Sequence, residues 1–112
     1  MNFMKSISMA KETIKKDELL AKLGKFVGVS NCDARNGCGS APNQFDLRFE
    51  NGYIFQSYAA LVAVKLYNED KWYFSEFYHD YSKTTSGHCT RFCGYNCRER
   101  RKMLSNGQAI GF

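Results

Sequence analysis

The sequence predicts an α+β domain: a four-stranded antiparallel meander sheet, with an N-terminal helix and two short C-terminal helices packed on one face. Three observations carry this. Lys15–Val27 places Leu19, Leu20, Leu23, Phe26 and Val27 at helical spacing. Between Phe45 and Tyr81, segments of period two alternate with turn residues. Beyond Ser82, capping residues and glycines punctuate two short helical runs. At 112 residues, 44% hydrophobic and 15% aromatic, the chain suits a single domain with one core and is too apolar for disorder.

The first helix is predicted over 14–27, capped by Thr13 or Asp17 and ended by Gly28. Residues 28–44 are rich in Gly, Asn and Ser and hold the one proline, Pro42, so they read as a long loop. Phe45, Leu47 and Phe49 then alternate with Asp46, Arg48 and Glu50 as a first strand. Asn51-Gly52 predicts a hairpin turn, because both residues tolerate positive φ, and Tyr53–Tyr58 follows as a second strand. Ala60–Tyr67 is an apolar, β-branched third strand, ended by the polar turn Asn68–Lys71. In Trp72–Tyr81, bulky residues alternate on both faces of a fourth strand. Thr84-Thr85-Ser86 stops that strand and supplies cap hydroxyls for a helical segment over 84–106. Within it, His88–Cys93 ends near Gly94, and Asn96 with Glu99 forms a capping box opening Cys97–Leu104.

The net charge is +5 and unevenly spread. From Lys83 onward, Arg91, Arg98, Arg100, Arg101 and Lys102 are opposed only by Glu99. This basic end predicts a docking face for an anionic partner, with Arg91, Arg98, Arg100, Arg101 and Lys102 as its binding residues. The basic balance excludes a DNA mimic. No apolar run approaches the roughly 20 residues of a membrane span, and the first residues carry no secretory pattern, so a cytoplasmic protein without membrane contact is expected.

Five cysteines without an export signal predict free thiols or metal ligands rather than disulfides. A zinc site would draw on Cys32, Cys38, Cys93 and Cys97, but no C-x-x-C pair is present, and buried apolar roles suit Cys89 and Cys93 better. No cofactor is expected. There is no phosphate-binding loop, dinucleotide fingerprint or nucleophile elbow, and His88, next to Cys89 on a helix, points about 100° away from it. A non-enzymatic role follows as the expectation.

Phe49, Asn51, Gly52, Phe55, Gln56, Ser57 and Tyr58 form an F-x-N-G-x-x-F-Q-S-Y motif. Asp80, Tyr81, Ser82, Thr84, Thr85, His88, Phe92 and Gly94 follow a D-Y-S-x-T-T-x-x-H-x-x-x-F-x-G pattern, with Cys93 where Leu is usual. Together they resemble a family of small uncharacterised domains from phages and mobile elements. That resemblance implies an accessory protein that binds and inhibits a host defence component, in the manner of an anti-CRISPR inhibitor. The expected partner is a host protein or ribonucleoprotein complex. Alternatives are a nucleic-acid-binding module using the basic helix, and a zinc-stabilised interaction domain.

Overall fold

A computed structural model of the chain describes residues 10–34 and 39–112. In chain order the elements are β1 (Glu12–Thr13), α1 (Lys16–Leu23), β2 (Phe26–Asp33), β3 (Ser40–Phe49), β4 (Gly52–Ser57), β5 (Ala60–Leu66), β6 (Trp72–Phe74), α2 (Lys83–Cys93), α3 (Cys97–Asn106) and β7 (Ala109–Gly111). The strands form one seven-stranded sheet in the order β1-β7-β6-β5-β4-β3-β2. Neighbours from β2 through β6 run antiparallel, whereas β7 is parallel to both β6 and β1.

Alternation along the central strands divides the core. Ile54, Val64, Leu66 and Tyr73 meet Leu19 and Leu23 of α1 on one face. Phe55, Val62, Ala63, Phe74 and Ala109 meet Cys89 of α2 and Leu104 of α3 on the other. Successive side chains on a strand point to opposite faces, so each short strand contributes to both layers.

The predicted four-stranded antiparallel meander with all helices on one face is therefore corrected to a seven-stranded mixed sheet covered on both faces. The four expected strands exist at its centre, but three more flank them. The predicted loop over 28–44 is corrected where the chain is described: residues 28–33 belong to β2 and 40–44 to β3, and the two strands pair antiparallel, with Val29 opposite Leu47 and Asn31 opposite Phe45. The first helix stops at Leu23, where Gly24 adopts φ 76°, and Phe26 and Val27 belong to β2. The fourth strand ends at Phe74 instead of Tyr81. Ser75 accepts the Tyr78 N–H on its hydroxyl (3.0 Å) and the His79 N–H on its carbonyl (3.0 Å), turning the chain.

The Asn51-Gly52 pair serves other ends than positive φ, which neither residue adopts. The Asn51 side chain donates to the Lys22 carbonyl (3.1 Å), closing the end of α1 against the hairpin. A Cβ on Gly52 would lie 2.3 Å from the Lys65 carbonyl oxygen, so glycine permits β4 to approach β5.

Candidate functional site

Capping chemistry builds the C-terminal half. Ser82 caps α2 by accepting the Thr85 N–H (3.1 Å), and Gly94 closes that helix in the left-handed conformation. The cap hydroxyl is thus Ser82, not the Thr84–Ser86 run. The Thr85 side chain turns inward to Ser57 on β4 (3.0 Å), joining the two sequence motifs in a buried contact. Asn96 and Glu99 form the capping box of α3.

On α3, Cys97, Arg100 and Leu104 fall on one stripe and face inward. Arg100 is fully buried. Its Nε–H donates to His79 Nδ1 (3.1 Å), one terminal nitrogen to Thr90 Oγ1 (2.9 Å) and the Tyr95 carbonyl (2.6 Å), the other to the His79 carbonyl (2.9 Å) and Ser86 Oγ (2.8 Å). All five N–H donors of the guanidinium have acceptors, and none of these is a carboxylate. Arg100 is therefore the clasp of the turn, α2 and α3, and not the partner contact that its place in a basic run predicts. Its shared stripe with Cys97 and Leu104 separates it from Arg98 and Lys102, though Arg101 lies equally near that stripe.

His79 accepts from Arg100 at Nδ1, which puts its proton on Nε2, 3.9 Å from Asp80 Oδ2. Burial pushes the His79 pKa below its ordinary 6.5, and the Arg100 and Arg101 charges push the same way against Asp80. Asp80 Oδ2 accepts from Arg101 (Nε 3.2 Å) and from the Cys97 thiol (3.6 Å). Burial alone would raise the Asp80 carboxyl, but His79, Arg101 and Cys97 reverse this and hold it low. The order is thiol, carboxylate, imidazole. A cysteine nucleophile needs the imidazole in the middle to take its proton, and here that position belongs to Asp80.

Among the described residues the remaining thiols are Cys89, Cys93 and Cys32. Cys89 is buried against the sheet and Cys93 packs partly beside it. The neighbouring Cys89 thiol, the Tyr95 N–H and the Arg100 charge hold Cys93 below its ordinary pKa against the pull of burial, and Cys89 moves upward. Cys32 lies on β2 in a 190 Å³ cleft with His88 and Arg91. Of the expected zinc set, Cys38 lies outside the described residues. Among the described residues, no three His, Cys, Asp or Glu side chains gather as metal ligands would.

Of the other predicted contacts, Arg91 is exposed and donates to the Ala34 carbonyl (2.7 Å), tying α2 to the end of β2. Arg98 and Lys102 are exposed on the outward side of α3, and Arg101, also exposed, leans over Asp80. Three clefts border that helix: one of about 360 Å³ lies over His79, Asp80 and Arg101, and two more flank it. One, of about 500 Å³, includes Lys83, Asn96, Cys97 and Arg101 in its wall. The other, of about 570 Å³, is lined by Trp72, Tyr95, Lys102 and Met103 together with Asp70 and Glu99. Sequence reasoning missed the second cleft, because it brings β6 and the α2–α3 linker beside α3.

Among the described residues no helix is long and apolar enough to cross a membrane. A model of a family of unknown function (DUF8033) matches residues 5–107, and the chain belongs to that family. No curated protein and no solved structure matches it.

Proposed function

We propose that this DUF8033 member is a non-enzymatic binding protein that docks an acidic protein surface on α3. In the phage or mobile-element setting implied by its sequence motifs, the partner is a host defence component that the protein inhibits. The observation that carries the reading is the composition of the α3 surface. Lys102 lines a cleft that also contains Trp72, Tyr95 and Met103, and Arg98 and Arg101 are exposed elsewhere on the same helix. Aromatic and Met side chains in a concavity are among the types enriched where protein interfaces form. Arg100 anchors the helix beneath them, so the outward cations are held at fixed spacing.

The test is a phage challenge of host cells with an active defence system. Expression of the wild-type chain is expected to restore plaque formation, and Arg98→Glu/Lys102→Glu to abolish the effect at equal protein level. No restoration by the wild type, across the host's defence systems, would overturn the reading.

A nucleic-acid partner is the second reading. Its support is the 500 Å³ cleft, where Lys83, and Arg101 already paired with Asp80, accompany the hydroxyls of Ser82, Ser86 and Thr90. It requires binding to single-stranded or duplex oligonucleotides that weakens steeply with salt as counterions are released. Absence of binding at low salt removes it.

A further inference from the structure

We propose that the outer edge of β2 is a homodimer interface, in which two copies pair β2 with β2 antiparallel about a two-fold axis at Val29. β2 is the last strand of the sheet, and among the described residues only β3 pairs with it. From Phe26 to Cys32 it contains no charged residue and no proline. Phe26, Val27 and Val29 are 55%, 68% and 58% exposed. An edge with free N–H and C=O groups and apolar side chains is a template for strand addition, and the usual deterrents are inward or central charges and proline. The opposite edge carries them: β1 is two residues long and sits among Lys11, Glu12, Lys15 and Lys16.

The charges at the ends of β2 select the occupant. Lys25 precedes the strand and Asp33 closes it. Antiparallel pairing of identical strands is symmetric about one residue, and with Val29 at that position Lys25 of each copy stands opposite Asp33 of the other. The strand is thereby complementary to itself, with two opposite-charge pairs at the rims and Val29 against Val29 between them. Parallel self-pairing would set Lys25 against Lys25. The β2–β3 ladder shifts register between Phe26 and Gly28 and again beyond Asn31, while Gly28–Asn31 stays regular, and the two-fold lies within that regular run. α3 packs on β7 and β1 at the far side of the sheet, so the interface leaves the basic helix free.

Sedimentation equilibrium of the full chain in reducing buffer, which prevents Cys32 cross-links, tests the pairing. A concentration-dependent dimer is expected at protein concentrations on the order of 100 μM. Val29→Lys, at an exposed position, is expected to leave a folded monomer. Lys25→Asp and Asp33→Lys should each weaken the dimer by about tenfold, since each turns two attractive pairs repulsive. The double variant Lys25→Asp/Asp33→Lys should recover near wild-type association. A wild-type chain monomeric throughout, a dimer indifferent to Val29→Lys, or a double variant no tighter than the singles would each overturn the proposal.

Discussion

A guanidinium withdrawn from water is tolerated only when each of its N–H groups finds an acceptor, and Arg100 meets that condition through His79, Ser86, Thr90 and Tyr95. Removing the side chain orphans these acceptors and opens a cavity between α2 and α3. Arg100→Ala is therefore expected to cost about 3–5 kcal/mol in urea unfolding. Arg98→Ala, two residues away on the opposite, exposed side of α3, should stay within about 0.5 kcal/mol. Equal small effects at both positions would contradict the clasp. His79 adds a pH dependence. Its folded pKa lies below the ordinary 6.5, so as pH falls the unfolded chain takes the proton first. The stability it contributes is complete above about pH 6.5 and is lost as pH drops from there toward the folded pKa. The loss has a limiting slope of about 1.4 kcal/mol per pH unit, and His79→Gln should flatten it in unfolding curves taken from neutral to mildly acid pH. These roles were only half legible in the sequence. The Cys97–Arg100–Leu104 stripe separates Arg100 from Arg98 and Lys102, but two of its acceptors belong to His79, 21 residues upstream in a turn that the alternation of Trp72–Tyr81 disguises as strand.

Between elements, the contact of Ser57 with Thr85 is the point where β4 fixes α2. Thr85→Val keeps the shape of the side chain and leaves the buried Ser57 hydroxyl without its partner, an expected loss of about 1–3 kcal/mol. Thr85→Ser should retain most of the stability, and a thermal melt that ranks the two variants the other way would refute the bond's importance. Both residues sit in the motifs quoted from the sequence, yet their pairing spans 28 positions and no local pattern announces it. The α3 capping box was legible because it is complete within four residues. β2 was not, since its Gly, Ser and Asn content resembles a loop, and pairing with β3 rather than intrinsic propensity makes it a strand. β7 was hidden for a similar reason. Three residues next to a helix end become a strand only because β6 and β1 lie on either side.

The sheet as a whole separates two surfaces. At one edge β2 offers its backbone, and toward the other α3 presents Arg98, Arg101 and Lys102. A net charge of +5 gathered toward the C-terminal end was evident from the sequence, as was the alternation that builds the central strands. Coverage of both faces was not. α1 follows Thr13, placed at one sheet edge by parallel pairing with Gly111, a contact between the two ends of the chain. The withdrawal of Arg100 and the tie of Arg91 to the Ala34 carbonyl narrow the docking claim to Arg98, Arg101 and Lys102. The most direct measurement is affinity capture from a defence-competent host lysate with the wild-type chain and with Arg98→Glu/Lys102→Glu, the two matched for thermal stability. The wild type is expected to retain a defence component at low salt and release it as salt rises, and the variant to retain none. Equal retention by both chains, or no defence component retained by the wild type, would contradict the assignment of α3 as the docking face.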